Sequence, residues 1–435
     1  MAARASIPCV DGPPDLFLLH RRDPSAFPFL LQSVDGAGRY DILFAQPREA
    51  LREADFFKGL NAAFAAAKQE KPTDGLPFIG GWFLCLGYEL AAQIEPAVSC
   101  PPSPHRWPDA LAVRCAAAIL YDHQSRSLEL VAEDETGLGL LKSEAAHLKP
   151  AQAPAWRVLA EQCIEEDPGR FTDGVRRIHA YLAAGDVFQV NLSRGWRARL
   201  GAGYGYPQLY EQLRQANPAP YAGLALWQGV AVLSSSPERL VEVRGREVQT
   251  RPIAGTRPRD ADRLFDAAQR QSLLASFKER AEHIMLIDLE RNDLGRVCEP
   301  GSVIVDELMH IESYAHVHHI VSGVRGRLRS GTGPGEVLKA VFPGGTITGC
   351  PKVRAMQIIA GLEGVGRGPY TGAMGYLSLD GRMDLNILIR SMVCDGREVT
   401  FRTGAGIVAD SKPETELEET RAKARGMLLG LGLKP

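Results

Sequence analysis

Residues 375–409 consist of strand-like runs joined by Asp-Gly turns at Asp380 and Asp395. Asp-Gly is a preferred dipeptide for the tight turn between two antiparallel strands. Elsewhere the chain has apolar residues at helical spacing over 170–186, 276–296 and 414–432. Helices and hairpin-linked strands therefore come in groups rather than in strict strand–helix alternation. This grouping predicts an α+β fold with antiparallel sheets and helices packed outside them.

The first 150 residues are less regular and are interrupted by proline. Strand-like stretches at 40–45, 80–90 and 111–122 alternate with turn residues, and 53–68 has the spacing of an amphipathic helix. A proline- and alanine-rich stretch at 149–156 is typical of an exposed connection. The pattern predicts an N-terminal lobe over 1–150 and a second domain over 171–435.

Charge and composition exclude several classes of protein. The 50 basic and 52 acidic side chains leave a formal net charge of −2, so no strong field attracts nucleic acid or an anionic membrane. No apolar run reaches the ~18–20 residues of a membrane helix, and the first residues lack the apolar core of a signal peptide. The eight cysteines stand singly, without the paired spacing of a zinc site. We expect a soluble cytoplasmic protein without a nucleic-acid or membrane partner.

Two predicted helices carry glutamates three residues apart. Glu279 and Glu282 share one face of the first helix, and Glu416 and Glu419 share one face of the second. Two such faces turned toward one cavity would suit a hard cation such as Mg²⁺. The same spacing also occurs in surface helices with ordinary salt bridges, so spacing alone leaves both interpretations open.

Glycine and histidine add two weaker signals. The stretch FPGGTITGCPK at 342–352 lacks the Gly-Lys-Ser/Thr ending of a P-loop. Its bare backbone and the Thr346 hydroxyl suit an anion, but the stretch is equally consistent with a simple turn before the next helix. His316 and His318 would share one face of a strand, with His319 on the other. They could chelate a metal, act singly as a general acid, or lie in the core.

Nine segments, read in order, resemble the chorismate-utilising enzymes. They are GDVFQVNLS (185–193), SSSPERL (234–240), RPIAGTRPR (251–259), KERAEHIMLIDLERNDLGRV (278–297), VHHIVSGVRGRL (317–328), FPGGTITGCPKVRAMQII (342–359), GPYTGAMGY (368–376), DLNILIR (384–390) and GAGIVADSKPETELEET (404–420). The resemblance covers 171–435 nearly end to end and makes this region the chorismate-binding catalytic domain. It implies one large α/β sandwich with the N-terminal part woven in.

The resemblance also assigns roles by position. It implies Mg²⁺ held by Glu282 and Glu419, with Glu279 and Glu416 as their partners. Glu238 matches the general acid at the departing 4-hydroxyl of chorismate, and His319 matches the histidine beside the ring. The remaining matched positions bind substrate, and the two cations among them suit its carboxylates: Thr346, Tyr370, Arg390, Gly406 and Lys423.

Four features of the sequence bear on the branch of the family. Isochorismate and salicylate synthases activate water with a lysine where this chain has Gln189, so the resemblance favours ammonia as the nucleophile. The strings QVNLS and DLNILIRS resemble aminodeoxychorismate synthases, which make the precursor of 4-aminobenzoate and folate. Ala254, where many of those enzymes carry a nucleophilic lysine, instead resembles anthranilate synthases of tryptophan synthesis. We predict aminodeoxychorismate formation, with anthranilate formation as the alternative; an isochorismate or salicylate synthase, or an inactive chorismate-binding subunit, is disfavoured.

The resemblance implies two further features. The chain has no Gly-x-Cys-x-Gly glutaminase motif, so we expect a separate glutamine amidotransferase subunit to deliver ammonia. In addition, three segments resemble those that form a tryptophan pocket in anthranilate synthases: LLQS at 30–33, Arg39-Tyr40, and NPAPY at 217–221. The predicted pocket residues are Ser33, Arg39, Tyr40, Pro220 and Tyr221.

Overall fold

Antiparallel strands form the framework of the protein. The computed structural model describes residues 3–9, 12–34, 36, 38–51, 54–69, 75–151, 155–259, 262–313 and 317–434. The strands within these ranges are β1 (Ala3–Pro8), β2 (Phe29–Gln32), β3 (Tyr40–Ala50), β4 (Gly81–Leu86), β5 (Ala110–Asp122), β6 (Ser127–Ala132), β7 (Ala160–Glu165), β8 (Gln189–Leu200), β9 (Tyr221–Trp227), β10 (Val230–Ser236), β11 (Arg239–Arg244), β12 (Glu247–Thr250), β13 (Ile253–Pro258), β14 (Ile304–Ser313), β15 (Val317–Arg327), β16 (Gly349–Cys350), β17 (Ala373–Ser378), β18 (Met383–Ile387), β19 (Ser391–Asp395) and β20 (Glu398–Ile407).

Helices cover the outer faces of the sheets. They are α1 (Phe17–Arg22), α2 (Phe56–Ala67), α3 (Ala91–Ile94), α4 (Glu135–Ala145), α5 (Pro168–Ala183), α6 (Tyr206–Ala216), α7 (Arg263–Ala275), α8 (Phe277–Gly295), α9 (Pro334–Val341), α10 (Lys352–Glu363) and α11 (Pro413–Gly430), with short 3₁₀ turns at Tyr88–Leu90 and Gly345–Ile347. Within the described ranges, each helix is too short or too polar to cross a membrane.

Two arms of sheet extend from the long strand β5. The first arm runs through β3, β2, β9, β10, β19, β20, β8 and β7. The second runs through β4, β17, β18, β11, β12 and β15, and β15 also pairs with β13 and β14. Strands from residues 1–150 thus pair directly with strands from 171–435, as β2 does with β9 and β4 with β17.

The hydrophobic core lies where the two arms face each other. The rings of Phe29 in β2 and Phe83 in β4 stack with their centroids 4.0 Å apart. The same buried cluster includes Val232 from the first arm and Leu385 from the second. The predicted α+β sandwich is therefore confirmed, and its antiparallel sheets pack face to face in the way of other β-sandwiches.

A smaller apolar cluster fixes the region where the predicted site residues lie. Phe171 of α5, Ile358 of α10 and Leu417 of α11 pack on one side of β8 and β20. This packing holds the two strands against the first turns of α11, which carry Glu416 and Glu419. The other glutamate helix, α8, begins at a Ser276 cap whose hydroxyl accepts the Glu279 N–H.

Candidate active site

Glu238 lies in the tight connection between β10 and β11. The N–H of Ile387 donates to the Glu238 carbonyl at 3.0 Å, which ties this connection to β18. The side chain is 5% exposed. Burial raises the pKa of the Glu238 carboxyl to about 7, against the opposing effects of the Thr346 hydroxyl and of the cations Lys423 and Arg390. A carboxyl with this pKa both holds and releases a proton at neutral pH.

Thr346 lies beside Glu238 on the 3₁₀ turn Gly345–Ile347. The Thr346 carbonyl accepts a hydrogen bond from Asn191 Nδ2 at 3.4 Å, which ties the turn to β8. Neither Thr346 Oγ1 nor Glu238 Oε1, both buried, has a hydrogen bond of standard geometry to any described residue. Because buried polar atoms are normally satisfied, this pair marks a place for the polar groups of a ligand.

His319 lies on β15 and faces the neighbouring strand β13. Its Nδ1 is 3.0 Å from the Gly255 carbonyl oxygen. A carbonyl oxygen only accepts hydrogen bonds, so Nδ1 carries the proton and Nε2 is the basic nitrogen. Burial, reinforced by the charge of Arg390, lowers the pKa of His319 to about 4. The ring is therefore neutral at pH 7. The adjacent Ala254, 7% exposed, pairs with Ile320 of β15.

Arg390 follows β18 in a left-handed backbone conformation with φ of +50°. Its carbonyl accepts the Ser235 N–H at 3.1 Å, so the guanidinium projects from a fixed turn. Burial lowers the pKa of Arg390, and the charge of Glu238 opposes this effect. Arg390 forms no ion pair with any residue that the structure describes, and part of its surface stays accessible. A guanidinium in this state suits a ligand carboxylate.

Lys423, Tyr370 and two glycines meet where α11 passes over β20. Lys423 Nζ donates to the Gly404 carbonyl at 3.0 Å. A Cβ on Gly404 would lie 2.9 Å from the Tyr370 hydroxyl, and one on Gly406 would lie 2.4 Å from Gln189 Nε2. A side chain at either position would therefore collide with groups from other segments, and at Gly406 the Gln189 amide would have to move.

Gln189 and Glu282 join β8 to α8 at the same place. Gln189 Nε2 donates to Glu282 Oε1 at 3.3 Å, and that carboxylate oxygen lies 3.3 Å from the position of a Gly406 Cβ. Gln189 is 2% exposed, and its Oε1 has no hydrogen-bond partner within the described part of the chain. At position 189 the chain thus places a carboxamide, rather than a basic side chain, beside Glu282.

The four predicted metal ligands have different surroundings. Glu279 Oε1 accepts a hydrogen bond from Arg257 at 3.2 Å, and Glu419 forms an ion pair with Lys423 at 2.7 Å. Glu416 is 5% exposed, whereas Glu419 lies at the surface. Across the described ranges, no three His, Cys, Asp or Glu side chains are gathered closely enough to hold a metal. The carboxylate oxygens of the four predicted ligands still match the hard donors that Mg²⁺ requires.

Comparison with known proteins decides the family. A profile of the chorismate binding enzymes matches residues 25–429. The chain belongs to the chorismate binding enzyme family. It is 40% identical over 433 residues to anthranilate synthase component 1 of Streptomyces coelicolor, covering 93% of this chain and 84% of that one. It is 39% identical over 435 residues to aminodeoxychorismate synthase component 1 of Bacillus subtilis, covering 93% and 91%.

A solved structure agrees with the family assignment. Anthranilate synthase component I from Streptococcus pneumoniae superimposes with a TM-score of 0.79 at 31% identity, covering 90% of this chain and 92% of that one. The predicted family is therefore confirmed, and the protein is a chorismate-utilising enzyme. The two kinds of component 1 match it about equally well, so similarity alone does not separate their reactions.

The five residues predicted for a tryptophan pocket line one cavity of this chorismate-utilising enzyme. Ser33, Arg39, Tyr40, Pro220 and Tyr221 all line a space of about 1310 Å³. The cavity also reaches the strands β17 and β18 of the second arm. Sequence segments almost 200 residues apart thus meet in one place, as the resemblance implied.

The histidine run divides between two environments. His318 is fully buried, with Nδ1 2.7 Å from Ser313 Oγ and Nε2 2.9 Å from Asp266 Oδ1. Both ring nitrogens of His318 are thus bonded to protein groups, which favours a core role over chelation. His316, its proposed partner in chelation, lies outside the described residues.

One buried ionic cluster beneath the site was missed from the sequence. Glu363 and Arg367, each with a side chain 1% exposed, form an ion pair at 2.6 Å. The helix α10 ends at Glu363 and Gly364 is left-handed, so the helical four-residue spacing rule does not predict this pair. Arg367 immediately precedes the GPYTGAMGY segment that carries Tyr370.

Proposed function

We propose that this chorismate-utilising enzyme replaces the 4-hydroxyl of chorismate with an amino group, giving 4-amino-4-deoxychorismate for 4-aminobenzoate and folate synthesis. The observation that carries the amination is Gln189, bonded to Glu282 at 3.3 Å. A carboxamide has no basic nitrogen and cannot deprotonate water, whereas ammonia attacks carbon without prior deprotonation.

Proton balance assigns the central role to Glu238. Amination breaks the C4–O bond and forms a C–N bond, so the departing hydroxyl gains one proton and the added ammonia loses one. With a pKa near 7, the buried Glu238 carboxyl can donate the first proton, and water leaves. The proton released from the new ammonium group restores the acid form of the enzyme.

Cations and hydroxyls around Glu238 suit the substrate. Chorismate carries two carboxylates, and the site offers the Arg390 guanidinium and the Lys423 ammonium. The Thr346 hydroxyl, buried and without a hydrogen bond of standard geometry to a described residue, lies where it could bind an oxygen of the ring substituent. These groups would hold the ring with its 4-hydroxyl toward Glu238.

Magnesium fits the donor set of the two glutamate helices. Glu282 and Glu419 supply hard oxygen donors, with Glu279 and Glu416 close along the same helices. Mg²⁺, when bound, would neutralise the ring carboxylate and polarise the ring toward loss of the hydroxyl. Lys423 and Arg257, which now pair with Glu419 and Glu279, would then be released from these carboxylates.

The metal assignment has a direct test. Chelation with EDTA should abolish turnover, and added Mg²⁺ should restore it. Glu282→Gln removes one donor charge and should lose both turnover and the response to Mg²⁺. The matched control is Glu418→Gln on α11, whose carboxylate pairs with Arg421 at the surface and should leave turnover unchanged. A wild-type rate in the Glu282 variant would contradict the assignment.

Anthranilate formation is the second candidate. Ala254 favours it, since an alanine cannot form the covalent intermediate that a lysine at this position would provide. His319 lies beside Ala254 and has its basic Nε2 available as a base for the elimination of pyruvate. Asn191 and Asn386, from the strings QVNLS and DLNILIRS, favour the 4-amino product instead. Asn191 lies close to the site, between the Thr346 turn and Gly404.

Product identification tests the reaction. Purified protein is mixed with chorismate, Mg²⁺ and an ammonium salt at mildly alkaline pH. We expect a product that 4-amino-4-deoxychorismate lyase converts to 4-aminobenzoate, and Glu238→Gln should not form it. Fluorescent anthranilate would establish the second candidate instead, and isochorismate would contradict both.

A partner and a ligand complete the proposal. We infer that a glutamine amidotransferase subunit supplies the ammonia, so glutamine should drive turnover only when that subunit is added. Tryptophan is the proposed ligand of the large cavity. It should raise the melting temperature of the wild type but not that of Tyr221→Ala, which removes a ring from the cavity wall. Equal shifts in both proteins would exclude the cavity as its binding site.

A further inference from the structure

Arg367 is the residue through which several parts of the site are connected. It lies in the loop after α10 and its side chain is 1% exposed. One side of the guanidinium pairs with Glu363, through Nε at 3.0 Å and Nη2 at 2.6 Å. Glu363 belongs to the scaffold, because its carboxylate also accepts the Ser193 N–H and hydroxyl. The anchor of Arg367 is thus a fully buried ion pair.

The other nitrogens of Arg367 reach three segments of the candidate site. Nη1 donates to the Ile347 carbonyl at 3.0 Å, next to Thr346, and to the Thr371 hydroxyl at 3.3 Å, next to Tyr370. Nη2 donates to the Asn191 carbonyl at 2.8 Å. A single planar group therefore sets the Thr346 turn, the Tyr370 loop and β8 at fixed distances from one another.

Residues from the N-terminal region hold Arg367 from behind. The guanidinium lies over the Tyr88 ring at 4.8 Å from its centroid and over the Tyr370 ring at 5.7 Å. The carboxylate of Glu89 accepts the backbone N–H groups of Arg367 and Gly368, at 2.6 and 3.0 Å. These ring contacts, together with the hydrogen bonds, restrict the rotation of the guanidinium.

We propose that Arg367 is the positioning residue that places Thr346 beside Glu238 and Tyr370 beside Gly404. It acts through these segments and does not itself touch the reacting atoms. Its five donors in one plane are essential, because a lysine has a single ammonium and cannot reach all the carbonyls together. The inference rests on the proposed function of Glu238 as the acid.

The closing experiment compares Arg367→Lys with Arg402→Lys. Arg402 also pairs with Glu363, at 3.2 Å, and donates to the Ser193 hydroxyl and carbonyl on β8. Unlike Arg367, it has no hydrogen bond to the Thr346 turn, to the Tyr370 loop or to Asn191 among the described residues. Both variants keep a positive charge near Glu363 and lose a fork of hydrogen bonds. Arg402→Lys thus controls for the loss of a fork beside Glu363, at a side chain that is 12% rather than 1% exposed, and only Arg367→Lys removes the bonds to Ile347 and Thr371.

The readouts are kcat and its dependence on pH, with the concentration of unprotonated NH₃ held constant. Activity needs protonated Glu238, so it falls as pH rises through about 7. The Thr346 hydroxyl lowers the pKa of Glu238, so loss of its placement moves this fall to higher pH. We expect Arg367→Lys to lower kcat ~10–100-fold and to move the fall by about half a unit or more. Arg402→Lys should do neither, and Thr346→Val should reproduce the shift.

One outcome would overturn the inference, and a different one would overturn the proposed function. Equal kcat losses in both arginine variants, without a shift of the pH profile in Arg367→Lys, would overturn it. The other charged groups that face Glu238, namely Lys423, Arg390 and Glu290, are the same in every variant, so they cannot cause the difference. If the wild type does not consume chorismate, the proposed function fails instead, which is a distinct result.

A second pair of variants covers the case in which Arg367→Lys does not fold. Tyr88→Leu removes one stacking ring without touching a hydrogen bond of Arg367, and Tyr88→Phe keeps the ring. The Tyr88 hydroxyl is buried without a partner among described residues, so its loss should be harmless. We expect a smaller shift of the pH profile in the same direction for Tyr88→Leu alone. The same profile in both Tyr88 variants would overturn the inference.

Discussion

Glu238 and Glu363 are two buried glutamates whose surroundings move their pKa values in opposite directions. They are 5% and 4% exposed, and burial raises the pKa of each carboxyl. Around Glu363, the charges of Arg367 and Arg402 and the hydroxyl of Ser193 outweigh burial and lower the pKa below its usual value. Around Glu238, the Thr346 hydroxyl and the charges of Lys423 and Arg390 do not outweigh burial, and the pKa rises to about 7.

The difference separates a structural carboxylate from a reactive one. Both oxygens of Glu363 are bonded to cations or hydroxyls, so it stays charged and holds the fold. Oε1 of Glu238 has no hydrogen bond of standard geometry to a described residue, and the nearby Thr346 hydroxyl lowers the pKa without offsetting burial. The pKa of Glu238 is raised because, among the described residues, no cation lies at bonding distance from its carboxyl, which suits a proton donor.

The largest expected effect is on turnover in Glu238→Gln. The amide keeps the shape of the carboxyl but cannot donate its proton to the departing hydroxyl. We expect kcat to fall about 10²–10⁴-fold, as for other general acids. Steady-state consumption of chorismate measures it. A rate near that of the wild type would exclude Glu238 as the acid and contradict the distinction between a reactive Glu238 and a structural Glu363.

The next effect is on stability in Glu363→Gln. This change leaves Arg367 and Arg402 buried without their counter-ion, at an expected cost of about 3–5 kcal/mol in the free energy of unfolding. Urea denaturation at pH 7 measures it. Glu418→Gln at the surface is the control and should cost less than ~1 kcal/mol. Equal losses would mean that Glu363 is not the anchor proposed.

The pH dependence of stability should have opposite signs at the two glutamates. The pKa of Glu238 rises on folding from 4.5 to about 7, so its charge destabilises the native state increasingly as pH rises through that window. Glu238→Gln should therefore be more stable than the wild type by about 3 kcal/mol at pH 8, an advantage that vanishes near pH 4.

Glu363→Gln gives the mirror image. The folded-state pKa of Glu363 is depressed, so its charge stabilises the protein above the unfolded pKa and this contribution is lost as pH falls. The deficit of Glu363→Gln should thus shrink toward acid pH. Denaturation series for both variants from pH 4 to 8 test the pair, and parallel curves would contradict it.

The smallest effect is expected in Ser193→Ala. The hydroxyl donates to Glu363 at 2.8 Å and accepts from Arg402 at 3.0 Å. Its loss should cost about 1 kcal/mol of stability and leave kcat unchanged, because the arginines still neutralise Glu363. Thermal denaturation and turnover of the same sample test both parts. A fall in kcat would show that the anchor and the reactive site are not separable.

Local pattern predicted much of the fold and the positions of the site residues. The Asp-Gly turns at Asp380 and Asp395 join β17 to β18 and β19 to β20, as the dipeptides indicate. The helices α8 and α11 were predictable because a helical pattern is a local property of the sequence. Glutamates three residues apart on them share one helix face. The roles of these residues came from the resemblance, and remain predictions.

The sequence by itself determined the secondary structure, the family and the order of the site segments along the chain. Only the tertiary structure decided that Glu238 has a pKa near 7, that Glu363 stays charged, and that Arg367 joins three site segments. The reason is that burial and long-range bonding set these properties. Glu89 and Arg367, for example, are 278 residues apart and meet only when β4 pairs with β17.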